Sequence, residues 1–320
     1  MRILITGGEG FIGSNFIRHI LGRYPDYKII NLDKLTYAGN RDNLRDLINN
    51  KNYFFVKGDI CDSRLVKELL RKCNCLINFA AQTHVDRSIK EPLDFIKTNI
   101  SGVYTLLEAA RQVKLELFLQ ISTDETYGSI FKGKSKETDS LLPNSPYASS
   151  KAAADLLVRS YSVTYKLPAI ITRSSNNFGP YQYPEKLIPL FITNLLEGKR
   201  LPLYGDGRNV RDWLFVLDNC RAIDVVLHKG KSGEIYNIGA GNEIPNIVLV
   251  KKILRLMRKS RNFIQYVKDR PGHDRRYALN CAKLRSLGWR PEYAFAPALG
   301  LTLDWYKNNQ KWWKKLKRPS

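Results

Sequence analysis

RILITGGEGFIG, residues 2–13, decides the fold. The apolar run Arg2 to Thr6 has the character of a buried strand. It passes without a spacer into Gly7, Gly8, Glu9, Gly10, Phe11, Ile12 and Gly13, a GxxGxxG pattern opening a helical stretch from Phe11 to Arg23. Glycine permits a tight turn and close backbone approach, while the helix start offers free N–H groups and a positive dipole end to an anion. Between a strand and a helix, the pattern predicts a pyrophosphate site. Glycine turns join strands to helices in many folds, so its force comes from the surrounding pattern.

Outward from this turn, apolar runs at Lys28 to Leu32, Tyr53 to Val56, Cys75 to Phe79, Leu115 to Ile121 and Ala169 to Thr172 read as buried strands. Helical patterns lie between most of them, at Ser63 to Arg71, Leu93 to Gln112 and Pro146 to Tyr165. Such alternation predicts an α/β fold, a Rossmann-like doubly wound parallel sheet with ligands at the carboxyl ends of its strands. After about Ser174, proline and glycine become denser and the elements shorter. The expected organisation is a dinucleotide-binding domain over 1–175, a return segment at 210–230, and a smaller mixed α/β substrate domain over 176–320.

The 320 residues, 43% hydrophobic and 11% aromatic, can bury a large core. The first strand-like run begins at Arg2, so no secretory leader is expected, and no apolar stretch approaches bilayer-crossing length. Cys61, Cys73, Cys75, Cys220 and Cys281 are scattered and lack a CxxC spacing. Neither a disulfide framework nor a metal site is expected, and a reducing cytoplasm fits best. The net charge of +22, from 52 Lys and Arg against 30 Asp and Glu, raises the question of nucleic acid. The one dense cluster is C-terminal, where Lys307, Lys311, Lys314, Lys315, Lys317 and Arg318 surround Trp312 and Trp313. A solvated helix end with both tryptophans folded back on the body accounts for it. No recognised binding module accompanies the charge, so no nucleic-acid partner is expected.

Asp33 stands twenty residues after Gly13, at the end of the second strand, where an acid accepts hydrogen bonds from the adenosine ribose. A carboxylate there repels a 2′-phosphate and favours NAD over NADP; the adjacent Lys34 pulls the other way. Asp59 and Ile60 follow the third strand and flank the adenine, and Ala80 and Ala81 after the fourth leave room for the cofactor. Tyr147 and Lys151, four apart, share one helix face. An adjacent ammonium and an oxidised nicotinamide lower a phenol from its pKa near 10, letting the pair take a hydroxyl proton as hydride leaves the same carbon. Asp124 and Glu125, beside Thr123, add an acid pair and point to loss of water. Burial and mutual repulsion raise Asp124 so that it can act as an acid. Neighbours on a regular strand face opposite ways, so both carboxylates reach one substrate only if the strand has ended near Thr123.

These residues, with Ser175 to Pro180, Pro184 to Leu187, Arg211-Asp212-Trp213 and Asp269 to Asp274, resemble the extended short-chain dehydrogenase/reductase family from Arg2 to about Tyr306, and within it the dTDP-glucose 4,6-dehydratases. The resemblance implies a three-step scheme. Tyr147, poised by Lys151 and Thr123, serves oxidation at C4 of the sugar by NAD; Glu125 removes the C5 proton while Asp124 protonates the departing C6 hydroxyl; hydride then returns to C6. It adds Leu35, Thr36, Thr98 and Asn177 to the cofactor site. It assigns Arg211, Asp269, Arg270 and His273 to the diphosphate and nucleoside, with Asn176, Lys186, Leu187, Pro202, Leu203, Tyr204 and Asn246 lining the same pocket. Thr83 is expected at the sugar, whereas a structural role suits His84 at least as well. Departures from the family pattern are Thr126, Gln82, Ser174 and Phe178. A homodimer packed through the helices at Leu93 to Gln112 and Pro146 to Tyr165 is implied. Rival readings are a UDP-glucose dehydratase, a sugar-nucleotide 4-epimerase, which has no use for the acid pair, and a non-catalytic dinucleotide sensor, expected to have lost Tyr147 or Lys151.

Overall fold

The computed structural model describes residues 1–317, so Arg318 lies outside the described residues. Its strands are β1 (Arg2–Thr6), β2 (Lys28–Asp33), β3 (Tyr53–Lys57), β4 (Cys75–Asn78), β5 (Leu117–Thr123), β6 (Ala169–Ser174), β7 (Asn176–Phe178), β8 (Leu201–Tyr204), β9 (Val210–Phe215), β10 (Ile235–Ile238), β11 (Glu243–Pro245) and β12 (Ile264–Val267). Seven build one sheet in the order β3-β2-β1-β4-β5-β6-β10, every neighbouring pair parallel. The order reverses between β1 and β4, which opens a crevice at their carboxyl ends. Runs of apolar residues rather than alternation mark these strands because helices cover both faces. One face packs Ile3, Ile5, Ile77 and Leu119 against Phe16, Ile17, Ile223 and Val226; the other packs Leu4, Leu76 and Phe118 against Leu106, Leu107 and Val158.

The seventh strand, β10, comes from residues beyond the 210–230 segment. The chain leaves the sheet after β6, returns through the helix Val216–Lys229, enters β10 and leaves again. Its excursions form a small lobe with two sheets, β11-β9-β7 and β12-β8, around Phe178, Phe191, Trp213, Phe215 and Leu249. The helix Gln310–Leu316 closes this lobe. Trp313 is fully buried and Trp312 nearly so, while the lysines around them face outward except Lys317, which pairs with Glu197 at 2.8 Å. Burying an aromatic of this size contributes about 2–3 kcal/mol, so packing alone explains two tryptophans in a basic stretch.

Helix boundaries at Phe11–Arg23 and Pro146–Tyr165 follow the sequence pattern. The second starts where Ser145 Oγ accepts from the Ala148 N–H and Pro146 takes the first position. The stretch expected as one helix over Leu93 to Gln112 is instead α-helical at Pro92–Phe95, wide-turned π-helical at Ile96–Gly102 and α-helical again at Val103–Val113. The wide turn carries Thr98 to the cleft and Asn99 to a buried junction. There the Asn99 side chain accepts from the Gln82 N–H at 2.9 Å and donates to the Gln82 carbonyl and to Ser150 Oγ.

Candidate active site

Two features of the glycine turn shape one end of the cleft. Gly7 has φ +71° and a Cβ there would sit 2.5 Å from Ala80 N; a Cβ on Gly13 would sit 2.5 Å from the Gly7 carbonyl. The helix Phe11–Arg23 begins at Gly10 with no side chain capping it, so its first N–H groups are open to the cleft. Asp33, at the end of β2, is aimed by two backbone donors, Glu9 N–H to Oδ2 at 2.9 Å and Leu35 N–H to Oδ1 at 2.8 Å. Lys34 Nζ lies 2.7 Å from Asp59 Oδ2. That pairing occupies the cation that could have offset a 2′-phosphate beside Asp33.

The other end of the cleft is built where β5 stops. The strand ends at Thr123 and residues Asp124–Tyr127 form a 3-10 turn, with Thr123 Oγ1 accepting from the Glu125 N–H at 3.3 Å. Strand alternation therefore does not apply to the two carboxylates, and Thr123, Asp124, Glu125, Tyr147 and Lys151 all line one cleft. Asp124 is almost fully buried and Glu125 partly so. Burial first, then the Glu125 charge, pushes Asp124 well above the usual carboxylate range. Burial also raises Glu125, while Arg270, Arg211 and Lys186 pull it back. The two acids are thus pushed towards different protonation states, as an acid and a base sharing a site require.

Tyr147 departs from expectation. Burial and the Glu125 charge raise its phenol rather than lower it, with the Thr123 hydroxyl opposing. Lys151 Nζ donates to the Ile121 carbonyl at 2.7 Å, and burial brings its own pKa down to about 8. The chain alone therefore holds the phenol protonated, and a cationic ring stacked in the cleft is needed to bring it into range.

Gly7, Gly10, Phe11, Ile12, Gly13, Asp33, Lys34, Thr36, Asp59, Ile60, Ala80, Ala81, Thr83, Thr98, Asn176, Asn177 and Lys186 complete the expected residues lining this cleft. Ser122 Oγ, Asp124 Oδ2, Ser175 Oγ, Asn176 Oδ1 and Asn177 Oδ1 are buried there with no partner among the described residues. Orphaned polar atoms gathered at one place mark a surface built for a polar ligand. With the glycine cradle and the open helix end, they fit a dinucleotide. The remaining expected residues lie outside the cleft lining. Leu35 stands at φ +58° and its N–H donates to Asp33. Leu203 is buried in the small lobe's core and Leu187 packs against it, so any ligand contact by Leu203 falls to its backbone. Pro202 and Tyr204 lie on β8 and Asn246 has a buried Oδ1 without a partner. Around them, Tyr204 donates to Asp86 at 3.1 Å, Arg270 lies 3.5 Å from Asp86, His273 bonds Asp269 at 2.6 Å, and Arg211 NH2 donates to the Asp274 carbonyl at 2.9 Å. Arg270 and Arg211 adjoin the cleft through their pull on Glu125.

His84 caps the helix Val85–Lys90. Its Nδ1 accepts from the Arg87 N–H, and burial with the nearby Lys186 lowers its pKa to about 4. Sequence reasoning did not single out Gly39, Gly58, Gln182 and Tyr183, which also line the cleft. Gly39 is packed close to Asp33, where a Cβ would press to 2.9 Å from Asp33 Oδ1, a constraint that spacing alone does not reveal.

Among known proteins, residues 4–300 match the family described as GDP-mannose 4,6 dehydratase. A low-salt glycan biosynthesis protein of Haloferax volcanii is 52% identical over 306 residues, covering 96% of this chain and 98% of that one. A dTDP-glucose 4,6-dehydratase of Streptomyces niveus is 49% identical over 324 residues, covering 100% and 96%. The crystal structure of a dTDP-glucose 4,6-dehydratase from Streptomyces venezuelae, with NAD and TYD bound, is similar at a TM-score of 0.97 and 50% identity, covering 99% of this chain and 100% of that one.

Proposed function

The chain belongs to the GDP-mannose 4,6 dehydratase family, and from that premise we propose that it converts dTDP-glucose to its 4-keto-6-deoxy product, a lyase reaction dependent on NAD. The observation that carries this reading is the ending of β5 at Thr123, which delivers Asp124 and Glu125 into one cleft with Tyr147 and Lys151. A 4-epimerase needs the phenol and the ammonium but has no use for two adjacent acids.

NAD, held by the Gly7 to Gly13 turn at its pyrophosphate and by Asp33 at its ribose, supplies the oxidation at C4 and the reduction at C6. Tyr147 Oη takes the C4 hydroxyl proton, with Thr123 beside it and Lys151 holding the positive charge nearby. A ketone at C4 acidifies the hydrogen on C5. Glu125 then takes that proton at its carboxylate, and Asp124, kept protonated by burial and by its neighbour, gives a proton to the departing C6 hydroxyl; as C6 is reduced, Glu125 returns its proton to C5. Arg211, Arg270, Lys186 and His273 face the diphosphate and nucleoside, Arg211 and Arg270 through planar forks suited to phosphate oxygens. Thymine as the base rests on the relatives' names.

Residues 1–175 with the return segment through the helix Val216–Lys229 and β10 are the dinucleotide-binding part, and the small lobe is the substrate part. A homodimer through the helices Pro92–Val113 and Pro146–Tyr165 is supported by Leu93, Tyr104, Leu156 and Val163, apolar side chains exposed on those elements. A cytoplasmic location is supported by five cysteines that are all unpaired; no helix among the described residues is long and apolar enough to cross a membrane. Against a nucleic-acid role stands the burial of both tryptophans of the basic cluster.

Glu125→Gln tests the reading. Keto-sugar formation from dTDP-glucose is expected to fall by about 100-fold or more while NAD remains bound. Unchanged turnover, or interconversion of hexose epimers in its place, would overturn it.

A further inference from the structure

Trp312 takes no part in the chemistry above, yet it stands behind both walls of the cofactor cleft, reaching each through an intervening residue. Its indole Nε1 donates to Asn43 Oδ1 at 2.9 Å, and Asn43 Nδ2 donates to the backbone carbonyl of Glu9 at 2.8 Å. Glu9 is the middle of the glycine turn. Its own N–H aims Asp33, and Gly10, the next residue, starts the helix whose open N–H groups face the cleft. The indole also packs edge-on against Tyr181 and Trp305, with ring centroids 6.0 and 5.0 Å away. Tyr181 sits at φ +67° in the turn after β7, directly before Gln182 of the cleft lining.

The chemistry of the link is directional. An asparagine amide has a donor end and an acceptor end, and only its donor end suits the Glu9 carbonyl. Among the described residues, Trp312 is the donor to Asn43 Oδ1. Without that N–H, the buried Oδ1 is left without its donor and the amide loses the contact that fixes its plane, which loosens one of the two donors on the Glu9 carbonyl; the other is the Asn40 N–H at 3.0 Å.

We propose that Trp312 is a positioning residue for NAD, holding the pyrophosphate turn through Asn43 and tying it to the turn after β7. The proposal rests on the cofactor reading above. It assigns the C-terminal helix a role in cofactor retention that its distance in sequence conceals.

The test uses full-length holoenzyme and reads the rate at which bound NAD exchanges with isotopically labelled NAD. Trp312→Phe keeps the ring and removes the donor; exchange is expected to quicken by about three- to tenfold, the worth of one neutral hydrogen bond. KM for the nucleotide sugar at saturating NAD is expected to stay at the wild-type value. Asn43→Ala is expected to match Trp312→Phe, and the double variant to be no faster than Asn43→Ala alone. Exchange at the wild-type rate in Trp312→Phe, or additive effects in the double variant, overturns the proposal. If Asn43→Ala does not fold, Asn43→Asp replaces it: it keeps the acceptor for the indole, loses the donor to Glu9 and is expected to quicken exchange with Trp312 intact. Wild-type protein that retains no NAD overturns the cofactor reading itself, and this inference with it.

Discussion

Asp124 carries a tension between stability and chemistry. Its carboxyl is almost fully buried and raised above its ordinary value of 3.8. A raised acid is most at home protonated. Its contribution to stability is complete below the unfolded pKa and is lost as pH rises through the folded one. Asp124→Asn is therefore expected to raise the thermal midpoint at pH 7 to 8, to leave it unchanged near pH 3, and to cost most of the turnover, all readable by melting curves and keto-sugar assay. Lys151 and Glu125 set opposite limbs of the pH profile. Glu125 must be ionised and is raised from 4.5, so kcat/KM falls on the acid side at a pH above that value; Lys151 must be charged, so the alkaline limb is expected near pH 8. A profile flat from pH 5 to 10 would remove both groups from the chemistry. The rise of Asp124 was legible in the sequence with its sign, from burial beside Glu125; that of Tyr147 was not. Asp124 beside Glu125 announced repulsion, but the rise of Tyr147 depends on depth and on where Glu125 points, which spacing does not specify.

At the scale of elements, the turn after β2 decides the cofactor. Asp33 is presented by two backbone donors and Lys34 is held by Asp59. Asp33→Asn is expected to weaken the preference for NAD by allowing NADP to bind, measured by competition between the two. Lys34→Ala is expected to leave that preference intact, since its charge is already engaged. The strand and helix cores were readable because their causes are local: an unbroken apolar run for β1, a serine cap with proline next for the helix at Pro146. Where tertiary contacts override local pattern, reading failed. Nothing in Ile96 to Gly102 signals a wide turn, which is held by Asn99 reaching Gln82 and Ser150 from far along the chain. The placement of Arg211, Arg270 and His273 around the small lobe likewise depends on pairings between β8 and β12 and between β9 and β11 that no single stretch encodes.

Across the whole molecule, β10 matters more than its four residues suggest. It covers the outer edge of β6, whose six residues are all buried, with the register Ile235 to Ile171 through Ile238 to Ser174. A fragment ending at residue 175 leaves that edge unpaired and apolar, so it is expected to aggregate, whereas a version carrying residues 216–238 on a linker is expected to stay dispersed, as light scattering would show. The chain crosses between its two lobes after β6, before Val216 and after β10, and again on either side of residues 282–289, whose Leu284 and Trp289 pack in the core under the large sheet. Exchanging the sugar-recognising half between relatives by a single splice therefore severs the scaffold: any chimera needs matched junctions at every crossing, and new specificities are more readily reached by changing side chains in place than by shuffling modules.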